Sequence, residues 1–230
     1  MKVYRTAAIT AVWRKMAKVD GSSIKHIALP ARFFAYVLGL LDKNSVATIA
    51  ERTTAIDSAI KKIKPKCIVE IGCGFSLRPK RFENIIFYEL DVKYFKKFKD
   101  GLIIFDIGKD ELSLKVTDAL FIVEGVTMYL QEEQILMLLK QIKKYKGHLL
   151  IDFFNKEYSK KKKNLRERLY KILFRLIILR NNIFDYRIEN IGQGISLLKE
   201  SGYKNVRHIP YDKFKNSKLR TLDVLFYAEL

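Results

Sequence analysis

Cysteine and histidine are scarce in this chain of 230 residues, and its acids are heavily outnumbered. The two cysteines, Cys67 and Cys73, have the spacing of neither a zinc site nor a disulfide framework, so the chain reads as cytoplasmic with free thiols. Of the three histidines, His148 opens an apolar run and reads as core or edge, while His26 and His208 fall in no motif. No metal site is expected. No apolar run reaches the ~18 residues of a membrane helix. The best, Phe33 to Leu41 and Leu173 to Leu179, are short, and Arg175 interrupts the second. The opening MKVYRTAAITAVWRKMAK scatters charge where a secretory signal needs an apolar core.

What is abundant is lysine. Lys and Arg total 44 against 25 Asp and Glu, a net charge of +19. Such a field attracts RNA, acidic proteins, anionic membranes or charged small substrates. The lysines are dispersed, however, in KKIKPK from Lys61, KYFKKFK from Lys93, KQIKKYK from Lys140 and KFKNSK from Lys213, which favours a solvated surface over a binding stripe.

The remaining elements are arranged around Cys67 to Asp91, CIVEIGCGFSLRPKRFENIIFYELD. An apolar run stops at Gly72-Cys73-Gly74, and a second, Ile85 to Tyr88, leads to Asp91. This is strand, glycine loop, strand, acid. Glycines at 72 and 74 let the backbone turn and remove the β-carbons that would keep a ligand away, and a strand-end acid accepts from ribose hydroxyls. A dinucleotide fingerprint needs a third glycine where this chain has Leu77, so pyrophosphate is disfavoured. Glu70 adds a carboxylate just before the loop, and E-x-G-x-G followed by an acid after the next strand resembles the class I S-adenosylmethionine (SAM) methyltransferases.

Along the chain, helical spacing runs from Thr6 to Leu41, interrupted at Asp20-Gly21-Ser22 and at Pro30. Asn44-Ser45 is the expected cap of a helix carrying RTTAIDSAIKKI from Arg52 to Ile63, in which Arg52 by itself reads as an exposed arginine. Residues 1–63 thus form a helical N-terminal segment. Lys93 to Lys99 is an expected helix, Leu102 to Phe105 a third strand, and Asp118 to Leu130 a buried fourth strand interrupted at Glu124-Gly125. An acid there is costly unless it is bonded or serves a site. An amphipathic helix from Gln131 to a glycine stop at Gly147 and a fifth strand, Leu149 to Phe154, come next. The last strands are Val206 to Pro210 and Leu222 to Leu230.

The stretch Asn155 to Arg180 combines one apolar stripe with a basic remainder. It suits either a docking helix on a polyanion or membrane, or a cover over a cleft, and the cover is preferred. Within residues 155–190 we therefore expect a basic, helical lid insertion.

Read together, RTTAID, EIGCGFSLR, YELD, FDIG and VEGVTMYL, in that order, resemble the leucine carboxyl methyltransferase-like family of class I SAM-dependent O-methyltransferases. The likeness runs from about Thr6 to the end, and E-G-V-x-M-Y-L is its most specific piece. It implies an α/β fold, one domain spanning 1–230 with a doubly wound seven-stranded sheet and a last strand inserted antiparallel. It also implies SAM as cofactor, with Arg52 and Arg78 near its carboxylate, Gly72 and Gly74 under its methionine part, Asp91 on the ribose, Asp106 with Ile107 beside the adenine, and Glu70 among the cofactor-binding residues. Glu124 and Tyr129 are the expected residues for turnover, Glu124 accepting from the cofactor or ordering an arginine. The family loop usually carries an aspartate and a threonine before the arginine. Here Phe75-Ser76-Leu77 precedes Arg78, so those loop hydrogen bonds have no counterpart.

The leading expectation is methyl transfer to an oxygen of a small-molecule or protein acceptor, with a carboxylate favoured. The charge also admits an RNA-directed methyltransferase, but the Asp/Asn-Pro-Pro-aromatic turn common after the fourth strand of base-nitrogen enzymes is replaced by Glu124-Gly125-Val126. A binding protein that has lost catalysis is the third reading, opposed by the intact Gly72, Gly74, Asp91 and Glu124.

Overall fold

A computed structural model describes residues 2–19, 24–156, 172, 186–211, 221 and 223–230. The expected cover between 155 and 190 lies almost wholly outside the described residues, as do the interruption at 20–23 and the basic segment at 213–218.

The sheet has seven strands: β1 Cys67–Ile71, β2 Ile86–Asp91, β3 Ile103–Ile104, β4 Ala119–Val123, β5 Gly147–Phe154, β6 Lys204–Ile209 and β7 Asp223–Glu229. They lie in the order β3-β2-β1-β4-β5-β7-β6. Every residue of β1 and β4 is buried, as expected of central parallel strands covered on both faces. β7 runs antiparallel between β5 and β6, with Phe154 opposite Asp223. Its reversed direction brings the beginning of β7 to the edge where β1, β4 and β5 end. That edge therefore gathers Glu70 in β1, Glu124 just after β4, Asp152 in β5 and Asp223 at the start of β7.

Five described helices accompany the sheet: α1 Lys2–Met16, α2 Leu29–Leu41, α3 Lys43–Ile63, α4 Glu132–Ile142 and α5 Ile191–Glu200. In α3 the buried positions Ile49, Arg52, Thr53, Ile56 and Ile60 follow one helical stripe, so Arg52 faces inward instead of into solvent. α1 packs on α2 through Trp13, whose indole N–H donates to the Ala35 carbonyl at 2.8 Å. Gly39 makes that approach feasible, since a β-carbon there would stand 2.9 Å from Trp13 and Met16.

Several expected boundaries are corrected. α3 begins at Lys43, capped by Asp42, whose carboxylate accepts from the Ser45 backbone at 3.0 Å. Pro30 sits in the first turn of α2, where its missing N–H is not needed, and starts that helix instead of interrupting one. β4 ends at Val123, and Thr127–Tyr129 forms a 3-10 turn instead of continuing the strand. Lys93–Phe98 is likewise 3-10, and β3 is reduced to Ile103–Ile104. α4 stops at Ile142, and Gly147 instead opens β5. A β-carbon at Gly147 would stand 2.1 Å from the Ala119 carbonyl oxygen, so the glycine serves close strand approach. No described helix is long and apolar enough to cross a membrane.

Candidate cofactor and acceptor site

The turn after β1 is locked onto the end of β2. Gly72 and Gly74 take φ of +74° and +51°, in the left-handed region that favours glycine. The Gly72 N–H donates to the Leu90 carbonyl at 2.8 Å. Asp91 accepts from the N–H groups of Gly74 and Val92, each at 2.7 Å, one on each carboxylate oxygen. Burial pushes the Asp91 carboxyl up, and those two hydrogen bonds pull it back.

A cavity of about 280 Å³ opens between this turn, the ends of β2, β3 and β4, and α1. It is lined by Arg52, Glu70, Gly72, Gly74, Asp91, Asp106, Ile107, Glu124 and Tyr129, so most residues singled out in the sequence meet in one space. Arg78 is the exception. Fully buried behind the wall, it donates to Glu70, to Glu124 at 2.8 Å and to Asp57 at 3.1 Å. Asp106 lines the cavity with its carboxylate paired to Lys109 at 2.6 Å.

A buried ionic network forms the floor. Arg52 donates through Nε to Glu124 at 3.0 Å and through Nη1 to Asp152 at 2.7 Å and to Asp223, while its Nη2 lies beside Gly125. Arg14 of α1 bonds Glu124 and, at 3.1 Å, the Thr53 hydroxyl. Asp152 also accepts from the Gly125 N–H at 2.8 Å, and the Tyr211 hydroxyl donates to Asp223 at 2.6 Å. Burial by itself would raise Glu124, yet Arg14, Arg78 and Arg52 together hold it well below the usual carboxylate range. It is therefore a firm anion that orders arginines. It does not cap α4, whose first turn instead has the Gln131 N–H donating to the Gln134 side chain at 2.9 Å. Burial pushes the Tyr129 phenol up to about 12, with the Thr6 hydroxyl bonded to it, so it stays protonated at neutral pH.

Arg14, Asp152, Asp223 and Tyr211 were not anticipated from sequence. Asp152 and Asp223 did carry a signal, each being an acid inside an apolar run, as Glu124 is. Arg14 carried none, because its partner lies 110 residues away. The histidines stand apart from the cavity: His26 tilts against Phe98, His148 contacts the Tyr227 hydroxyl, and His208 neighbours Phe226. Among the described residues no group of three or more His, Cys, Asp or Glu is placed to hold a metal.

No protein-family model and no curated protein matches the chain by sequence. Solved structures match it in shape. A SAM-dependent methyltransferase from Archaeoglobus fulgidus superposes with a TM-score of 0.56 at 15% identity, over 85% of this chain and 100% of that one. A DUF574 family protein from Streptomyces avermitilis gives 0.61 at 9% identity over 96% of each chain. Human N-acetylserotonin methyltransferase, solved with SAM, gives 0.50 at 14% identity over 94% of this chain and 61% of that one. At these identities the likeness concerns architecture, and the architecture is the class I SAM-dependent methyltransferase fold.

Proposed function

We propose that this chain binds SAM in the cavity beside Gly72 and Gly74 and transfers its methyl group to an oxygen, a carboxylate of a small-molecule or protein acceptor, as in the leucine carboxyl methyltransferase-like family. One observation carries the reading. Glu70 lines the cavity, and its Oε2 is buried with no hydrogen-bond partner, an arrangement that costs free energy unless a ligand donor completes it. An ammonium group is the donor that a carboxylate oxygen suits best. On the same wall Arg52 turns Nη2 toward Gly125, a position from which it can meet a ligand carboxylate. Glu70 and Arg52 thus suit the two charges of an amino-acid end, while Asp91 retains lone pairs for ribose hydroxyls. Asp106 and Ile107 form the wall for the base.

When bound, the cofactor would supply an electrophilic sulfonium methyl group, whose carbon would bond to the acceptor oxygen in line as its carbon–sulfur bond breaks and the neutral thioether leaves. The chain's contribution is alignment, for which effective concentrations are worth roughly 7 to 11 kcal/mol in favourable cases. An acceptor carboxylate, with pKa about 4, arrives ionised, whereas a phenol near 10 needs a base. No histidine lines the cavity and Tyr129 keeps its proton, which favours the carboxylate. Tyr129 can donate to the acceptor, and Glu124 holds Arg14 and Arg52 in place.

Titration calorimetry with SAM tests the cofactor assignment, with Asp91→Ala expected to weaken binding by about 1 to 3 kcal/mol. Absence of heat with wild type, or equal affinity in the variant, rejects it. Labelling a cell extract with methyl-tritiated SAM, then separating protein, RNA and small molecules, tests the acceptor. Base-labile label in the protein or small-molecule fraction is expected, and label in RNA would reject the carboxylate reading.

A further inference from the structure

α2 presents to solvent a face without a charged side chain. Leu29, Phe33, Tyr36 and Leu40 recur at spacings of four, three and four residues and fall within roughly 60° of arc on a helix that advances about 100° per residue. They are 75%, 64%, 49% and 44% exposed, and Phe34 beside them is 45% exposed. The opposite side, Ala35, Leu38 and Gly39, is buried against α1. The inward face therefore completes the local core, and the outward face contributes nothing to it. Folded domains seldom leave an apolar stripe of this length in water without a use for it.

Charge decides between the candidate occupants. Residues 1–43 contain eight Lys or Arg, of which Arg14 is buried against Glu124, and two Asp. Lys15, Lys18, Lys25 and Lys43 are exposed around the α1–α2 pair. A second copy of the chain would bring the same excess, +19 against +19, to the same contact. An anionic bilayer offers what the stripe and its surroundings each need, an apolar layer below and phosphates at the level of the lysines. We propose that α2 docks this protein flat on an anionic lipid surface, with Leu29, Phe33, Tyr36 and Leu40 in the headgroup–acyl boundary. The inference rests on α2 and its cations and stands whether or not the cavity binds SAM.

Co-sedimentation of the full chain with phosphatidylcholine vesicles containing about 30% phosphatidylserine, compared with phosphatidylcholine alone, provides the test. Binding is expected only to the mixed vesicles. The double variant Leu29→Gln/Phe33→Gln should bind them roughly tenfold or more weakly, because apolar area no longer enters the lipid, with an unchanged melting temperature. A second readout uses Phe33→Trp, whose added indole emission should shift to the blue on docking and be quenched by brominated acyl chains. Trp13 is buried and supplies a constant background. Three results overturn the proposal: no binding to the mixed vesicles; binding that falls with salt but is indifferent to the double variant and leaves the introduced indole unquenched, which marks unspecific attraction of polyanions, RNA included; or a dimer in sedimentation velocity that the double variant dissociates, which assigns the stripe to a second copy.

Discussion

Arg14, Arg52 and Arg78 are each buried and bonded to carboxylates, whereas Lys61, Lys62, Lys96, Lys97 and Lys140 stand in water on the outer faces of helices and turns. Around the three arginines lie five acids: Asp57, Glu70, Glu124, Asp152 and Asp223. The floor of the candidate site is thus richer in acid than in base, in a chain whose overall charge is +19. Overall charge governs which surfaces the protein approaches, and the local network governs what the cavity holds. Residue type follows the same division with one exception, Lys99, whose side chain is 8% exposed and donates to Glu89 and to the Ser76 carbonyl at 2.7 Å. Arginine's planar fork engages several carboxylates at once and stays charged when buried, and a lysine's strongly hydrated ammonium is better left at the surface.

The largest expected effect breaks the buried side of this contrast. Arg78→Met takes from buried Glu70 its ion-pair partner, while Glu124 keeps Arg14 and Arg52 and Asp57 keeps Arg81, and removing one partner of a buried ion pair costs about 3 to 5 kcal/mol. Urea unfolding should show that loss. A change under roughly 1 kcal/mol would mean that water reaches these acids and the network is not sealed.

Next comes Gly72→Ala, which tests whether the acids face a ligand. A β-carbon at Gly72 would stand 2.2 Å from Val126 Cγ2, and its φ of +74° is strained for alanine by about 1 to 3 kcal/mol. Val126 lines the cavity, so its displacement narrows the cofactor space. SAM affinity should fall roughly a hundredfold, about 2.7 kcal/mol, by calorimetry. Unchanged affinity would place the cofactor elsewhere.

The difference between these regions also explains what the sequence revealed in advance. Strands announced themselves through apolar runs ending in glycine or acid, which is why Glu70, Gly72, Gly74, Asp91 and Glu124 were found. Their signal is local: backbone that must turn, or a carboxylate where apolar residues belong. Asp152 in LLIDFF and Asp223 in LDVLFYAE are acids among apolar residues just as Glu124 is. What hid them was topology, since only the reversed β7 brings Asp223 to Arg52, 171 residues away. Arg14 had no local mark at all: α1 carries Arg14 beside Lys15, and nothing in that pair says which one turns inward. The mid-chain boundaries depart from the apolar periodicity where a 3-10 turn stands in place of a strand or helix, a choice made by packing.

A smaller effect concerns the protons of the network. Burial, with the Asp223 charge adding and Arg52 opposing, pushes Asp152 up to about 7. The folded protein therefore holds this proton more tightly than the unfolded chain, where an aspartate titrates near 4. Its contribution to stability is fully present below about pH 4 and is lost as pH rises toward about 7. Asp152→Asn removes that titration while keeping an oxygen for the Gly125 N–H. Between pH 5 and 7 wild type should lose about 1 to 2 kcal/mol relative to the variant, read from melting curves at each pH. Parallel curves would show that Asp223, which is also raised, carries the shared proton alone.

The smallest effect belongs to the surface. Lys144 meets Glu111 at 2.5 Å, but their side chains are 54% and 73% exposed. Lys144 hydrogen-bonds to Glu111 and lowers its pKa, yet water screens the pair, and holding two long side chains in one geometry offsets most of the attraction. Lys144→Ala should therefore leave the melting temperature within reading error. Added salt gives the complementary measurement. If the lysine surface acts mainly through self-repulsion, screening it should raise the melting temperature slightly, because the buried network is shielded from the same ions. A melting temperature that falls with salt, together with a measurable loss in Lys144→Ala, would show that exposed lysines stabilise the fold through their pairs as the arginines do, and the contrast between the two regions would not hold.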